Sequence, residues 1–204
     1  MKFLFSAPSL DDLVRLLKAW RFWVLGALVG ALLGTVLFYV VPPPYRAQAT
    51  VNVDFNLEEA WPDDVDRQQF YYLERETRKL EEIAWSDDVM QAVADANDVD
   101  VSTLRDKVLW LSQPAEAGWH FYADDRNPSR AESIASTWAL AFTEQVRADM
   151  AEQVGLNSLV RVDAAQVENL PIYRKISLST YLLSGAIGFL ALSALLVLFV
   201  KPQK

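Results

Sequence analysis

The chain contains no cysteine and only one histidine, His120. The first absence excludes disulfides, thiolate metal sites and cysteine nucleophiles together. It also suits a domain that folds outside the cytosol without oxidative help. With one histidine, set between Trp119 and Phe121 on an extended segment, a metal site would fall to carboxylates alone. The pairs Asp63-Asp64, Asp87-Asp88 and Asp124-Asp125 each fit a cap, a first-turn charge or a solvated loop better than a ligand set. No Gly-x-x-x-x-Gly-Lys-Ser/Thr stretch occurs, so the chain is not a phosphate-loop kinase. Positive charge is short as well. Nineteen Lys and Arg stand against 27 Asp and Glu, a net charge of −8, which argues against nucleic acid as a partner. Nothing positions a carboxylate pair for glycoside hydrolysis. The expectation is a protein that is not an enzyme and has no catalytic residues, metal site or cofactor.

What is present is apolar sequence gathered at the two ends. Trp20 to Val41 carries no charge after Arg21, and Ile176 to Val200 carries none at all. Each is long enough to cross roughly 30 Å of hydrocarbon as a helix. A chain this small could not bury two such helices in a soluble core. Lys2, Arg15, Lys18 and Arg21 precede the first span, and Lys201 and Lys204 follow the second. The positive-inside rule therefore puts both ends in the cytoplasm. Arg46, Arg174 and Lys175 oppose this, but of the acidic residues only Asp11 and Asp12 lie outside the middle region. The expected partition is a cytoplasmic segment 1–19, a span 20–42, an extracytoplasmic domain 43–175, a span 176–200 and a tail 201–204. Ala47-Gln48-Ala49 has the small-x-small form of a signal-peptide cleavage site. The preceding apolar run exceeds the usual length of such peptides, and cleavage would cut a strand.

Gly26, Gly30 and Gly34 recur every four residues in the first span. That spacing makes a smooth stripe on which another helix can approach closely in lipid. The partner is either the second span, through Ser184, Gly185 and Gly188, or another copy of the chain. Ahead of the span, Ser9 can cap a short amphipathic helix with Leu10, Leu13, Val14, Leu17 and Trp20 on one stripe, suited to the membrane surface. Pro42, Pro43 and Pro44 lack amide hydrogens and fix their own φ. They end the span in a stiff extended run, with Tyr45 at interface depth.

Between the spans, Arg46 to Phe55 alternates as a half-buried strand. Glu58 to Asp64, with Pro62, reads as a loop. From about Val65 the period turns helical, with Phe70, Leu73, Thr77, Leu80 and Ile83-Ala84 on one face. Ser86 caps a second helix that Asn97 can end. Asp106 to Gln113 and Gly118 to Asp124 are strands joined by a hairpin loop. Asn127 and Pro128 open a third helix lined by Ala131, Ile134, Ala135, Trp138, Phe142, Gln145, Val146 and Met150. Gly155 is a plausible stop, and Ser158 to Val167 is the last strand. The fold class is α+β: a small, mainly antiparallel sheet with helices on one face, flanked by two transmembrane helices. First and last strands are expected as central neighbours. Of the tryptophans outside the spans, Trp110 and Trp138 fit core positions, and Trp61 is the most exposed candidate for stacking on a sugar.

In this frame the chain resembles the Wzz-type polysaccharide co-polymerases, the chain-length-determinant family. The resemblance is carried by Pro43, Pro44, Tyr45 and Ala47 in the exit from the first span and by Ser86 in "AWSDDVMQAV". It continues with Asp125, Pro128 and Ala131 in "DDRNPSRAESIASTWA", and with Ala164 and Pro171 in "VDAAQVENLP". The long helical arm of larger members is absent, so the match is to a short, membrane-proximal form. The proline series before the second span is reduced to Pro171, and Gly185 and Gly188 are three apart rather than four. The resemblance implies a homo-oligomeric ring in the plasma membrane that controls polysaccharide chain length or export. Its implied partners are membrane lipids and a polymerase or lipid-linked polysaccharide. The alternative it implies is an adaptor that activates a separate cytoplasmic tyrosine kinase.

Overall fold

The computed structural model describes residues 10–60, 67–113, 118–152 and 156–199. Lys2, Ser9, Trp61 to Asp64, Pro114 to Ala117, Gly155, Val200 and the 201–204 tail lie outside the described residues. In chain order the elements are α1 (Leu10–Lys18), α2 (Trp20–Val40), β1 (Tyr45–Asp54), α3 (Leu57–Ala60), α4 (Arg67–Ala84), α5 (Asp87–Asn97) and α6 (Val101–Thr103). A π-helical turn (Leu104–Val108) follows, then β2 (Leu109–Ser112), β3 (Trp119–Asp125), α7 (Pro128–Ala151), β4 (Arg161–Gln166), β5 (Ile172–Arg174) and α8 (Leu178–Phe199). The chain divides into two compact units, Met1–Pro43 with Ile176–Lys204, and Pro44–Lys175.

The first unit is helical. α2 and α8 have mean hydropathies of 2.1 and 2.4 and are both long and apolar enough to cross a membrane. They pack on each other along most of their length. Their outward residues, among them Leu28, Leu32, Ile187 and Leu192, are exposed, as a lipid solvent would require. The start of α8 is set by Ser177, whose hydroxyl accepts from the Thr180 amide at 3.3 Å. On α1, Leu10, Leu13, Val14 and Leu17 are exposed.

The second unit is a mixed helix and sheet domain with an antiparallel sheet in the order β2-β3-β1-β4, and β5 also pairs with β1. β1 is the hub. It pairs with β3 over Tyr45 to Val51 on one side. On its other side it pairs with β5 over Tyr45 to Ala47 and with β4 over Thr50 to Asp54. The expected neighbourhood of first and last strands is present in β1 and β4, but β4 sits at the edge of the sheet. Strand alternation gives the sheet two unlike faces. Ala47, Ala49, Val51, Phe121 and Ala123 are fully buried under α7. α7 contributes Ala131, Ile134, Ala135, Trp138, Ala139, Phe142 and Val146. Trp138 anchors the layer: it meets Phe121 edge-on at 4.8 Å and Trp85 at 4.9 Å. Its Nε1 donates to the Ala84 carbonyl at 2.8 Å, which satisfies the only polar atom of a buried indole. α4 and α5 pack against α7 in turn. Ala47 and Ala49, the residues of the cleavage-like triplet, lie at the centre of the sheet core.

Several expectations need correction. The strand expected from Asp106 begins only at Leu109, because Asp100 caps a helical turn by accepting from the Ser102 and Thr103 amides. That start puts Leu104 and Val108 into the core four residues apart, a helical spacing that alternation conceals. The last strand starts at Arg161, not Ser158, and β5 was not foreseen. Its three residues follow Pro171 and read as linker until the pairing with β1 is known. On α4 the buried row is Tyr72, Glu76, Leu80 and Ala84, while Phe70 is 66% exposed. The buried face contains a carboxylate, which hydrophobic periodicity cannot register. Leu57–Ala60 is a short helix where a loop was expected. Trp110 is 48% exposed rather than buried.

Candidate functional site

Two places concentrate side chains that packing alone does not demand. The first is the seam of the helical unit. A Cβ on Gly30 would collide with the Gly185 carbonyl oxygen and come within 2.6 Å of the Phe189 Cβ. One on Gly26 would strike the Ser193 hydroxyl, and one on Gly34 the Tyr181 carbonyl. The glycine stripe of α2 therefore admits a row on α8 made of Tyr181, Gly185, Phe189 and Ser193, spaced by fours. This is ridge-in-groove packing with backbones close enough for van der Waals contact. Phe38 meets Tyr181 edge-on at 5.6 Å at one end of the seam. Ser184 lines a shallow apolar groove of about 320 Å³ beside the seam, with Leu33, Leu37 and Thr180. Gly188 has nothing within 4 Å of where a Cβ would sit. It lies off the seam, because the row runs in steps of four from Gly185 and Gly188 is three away.

The second place is the open face of the sheet, opposite α7. Register sets Arg46 across from Asp124, Gln48 from Tyr122 and Thr50 from His120. It also sets Trp110 across from Tyr122 and Tyr173 from Arg46. Arg46 grips Asp124 with two parallel bonds, Nε to Oδ1 at 2.6 Å and Nη2 to Oδ2 at 2.7 Å, the fork geometry that favours guanidinium over ammonium. Lys175 Nζ reaches the same Oδ2 at 2.7 Å. The Asp124 side chain is 3% exposed. Burial pushes its carboxyl up, but Arg46 and Lys175 outweigh that and hold it below the ordinary carboxylate value. Both cations also sit near Trp110, Lys175 Nζ at 4.8 Å and the Arg46 guanidinium carbon at 5.9 Å from the ring centre. Arg46 lies 5.3 Å from the Tyr122 ring and Arg174 lies 3.6 Å from that of Tyr45. Further along, the Nδ1 of His120 is 3.1 Å from Gln48 Nε2 and 3.2 Å from Thr50 Oγ1. The histidine is thus tied into a cross-strand rung.

Of the residues that carry the family resemblance, Pro43, Pro44, Tyr45, Ser86, Asp125, Pro128 and Pro171 stand at junctions, while Ala47, Ala131 and Ala164 lie within elements. Pro43 is buried, and the Pro44 carbonyl accepts from the Lys175 amide at 2.9 Å. Tyr45 opens β1, and Ala47 faces the core. Ser86 caps α5 by accepting from Val89. Asp125 accepts from the Asn127 amide at 2.7 Å and so shapes the turn in which Asn127 caps α7 ahead of Pro128. Ala131 is fully buried, and Ala164 pairs with Val51. The Pro171 carbonyl accepts from Gln48 at 3.3 Å. Two groups escaped the sequence reading. Asp124 was counted as half of an acidic pair; the signal was the excess of cations at 46 and 175, which needs a carboxylate once register is known. Glu76 is fully buried and bound by Arg75 at 2.8 Å, Lys79 at 3.0 Å and the Asn157 amide at 3.1 Å. It ties α4 to the segment ahead of β4. Among the described residues no group of three or more His, Cys, Asp or Glu could hold a metal ion. Compared with protein-family models the chain matches none, and no curated protein matches it.

Proposed function

We propose that this chain is a non-enzymatic regulator of surface or extracellular polysaccharide synthesis. In this reading it sits in the plasma membrane with both termini in the cytoplasm and Pro44–Lys175 outside. It works by assembling with copies of itself beside a polymerase or a lipid-linked polysaccharide. One observation carries the reading. The four stretches that resemble the Wzz-type family each border or take in a structural junction of an antiparallel α+β unit bracketed in sequence by two membrane-length helices. A second observation supports self-assembly. The outer side of α4 shows Phe70 and Tyr71 at 66% and 71% exposure, and Phe70 and Leu73 line a shallow groove on the same helix together with Glu74, Thr77, Arg78 and Glu81. Adjacent exposed aromatic residues rimmed by polar ones are the kind of surface that another protein can cover. Deleting the protein in its source organism tests the function. The expected outcome is a changed length distribution or amount of polymer on a gel. An unchanged profile with polymer still made removes the reading.

A further inference from the structure

Arg46, Arg174 and Lys175 are the cations that flank the two spans on the side that the positive-inside rule disfavours. The structure places Arg46 and Lys175 on one carboxylate and beside one indole. We propose that this end of the open sheet face, formed by Arg46, Lys175 and Trp110 with Tyr122 and Tyr173, holds the phosphate of an anionic phospholipid headgroup. The proposal rests on α2 and α8 crossing a bilayer, and it is independent of any role in polysaccharide synthesis.

Three lines of argument meet here. The first is charge. Asp124 supplies one negative charge to two cations, so the cluster keeps a positive excess in a chain of net charge −8. Arg46 gives Asp124 its Nε hydrogen and one from Nη2, and Lys175 gives one N–H. A guanidinium has five N–H donors and an ammonium three, which leaves donors on both for phosphate oxygens. The second is access. The Lys175 side chain is 34% exposed, Trp110 48% and Tyr173 44%. The third is depth. Only Ile176 and Ser177 separate Lys175 from α8, and only Val41 to Pro44 separate α2 from β1. At 3.8 Å per residue, Lys175 is within about 11 Å of the first residue of α8. The polar layer flanking the hydrocarbon is about 5–8 Å thick on each side. Amphipathic rings and cations are what that layer favours. A sugar is the poorer occupant, because Arg46 and Lys175 already lie against the indole that would have to stack on it.

The test uses the full chain purified in a mild detergent, with bound lipid counted by native mass spectrometry. Phosphatidylglycerol, phosphatidylcholine, diacylglycerol and soluble glycerol 3-phosphate are the probes. Phosphatidylglycerol is expected to be retained over the other three. Lys175→Gln leaves Asp124 its two bonds from Arg46, so the fold is preserved, and retention should fall about fivefold for one lost interfacial cation. Lys175→Arg should restore it. Trp110→Leu should also weaken it, and Lys107→Gln, an exposed cation on the π-helical turn, should not. Equal retention by the parent chain and Lys175→Gln overturns the proposal. So does equal retention of diacylglycerol, which would locate the lipid on the apolar helices. Binding of glycerol 3-phosphate as tight as that of the lipid also overturns it, since the site would then belong to a free phosphate.

Discussion

Asp124 is the residue on which three strands converge. It lies on β3, receives Arg46 from β1, and receives Lys175 from the end of β5. Removing its charge would leave two cations facing each other with no counter-ion. The Arg46 and Lys175 side chains are 20% and 34% exposed, so the cost falls below the roughly 3 kcal/mol of breaking a fully buried pair. Asp124→Asn is therefore expected to lower the thermal midpoint of the full chain in detergent by several degrees. The pH dependence has a definite sign. The folded carboxyl titrates below its ordinary value of 3.8, so its stabilisation is complete above that value. It is lost as pH falls below 3.8 and through the folded value. Glu76 behaves alike, since burial pushes it up but Lys79, the Asn157 amide and Arg75 prevail and hold it below 4.5. The difference between the melting profiles of the parent chain and Asp124→Asn isolates the Asp124 contribution. It should be present at neutral pH and vanish in strong acid. At this scale the sequence showed that Arg46 and Lys175 were out of place, but their partner depends on strand register, which one sequence does not display.

The elements were largely legible, and the exceptions share a cause. α2, α5, α7, α8, β1 and β3 announce themselves by caps, by prolines and by unbroken period. β5, the π-helical turn and the buried face of α4 do not, because each is decided by what it packs against. A three-residue strand exists only through its partner. A helix face that buries Glu76 looks polar until Arg75 and Lys79 are placed beside it. The glycine stripe is visible on α2, and Gly185 is the residue of the matching α8 row that the sequence points to, while Tyr181, Phe189 and Ser193 carry no small-residue signal that marks them all and Gly188 lies off the seam. The absence of cysteine makes this seam easy to test. The position for a Cβ on Gly26 lies 2.9 Å from the Ser193 Cβ, and a disulfide needs roughly 3.5–4.5 Å, a sub-ångström adjustment. Gly26→Cys combined with Ser193→Cys should therefore crosslink within one chain on mild oxidation, read as a faster monomer band on a non-reducing gel. A dimer band in its place would mean that the seam forms between copies.

For the whole molecule, the exposed side of α4 sets the expectation of assembly. Phe70→Asp with Tyr71→Asp should reduce the oligomeric mass of the intact protein in nanodiscs without changing its melting temperature, since both side chains are already in solvent. An unchanged oligomer assigns assembly to another surface. The hub position of β1 also has a kinetic consequence. It is the first strand to be synthesised, yet its partners are β3, β4 and β5, and the last of these is completed only at Arg174. At about 5–20 residues per second, β1 waits on the order of ten seconds for its last partner, and the edge that β4 and β5 cover stays open longest. Contacts so distant along the chain also make the folding step itself slow. The period of greatest danger for this protein is thus its own translation, and a chaperone that shields an extended Ala-Val strand would act before the second membrane helix has been made.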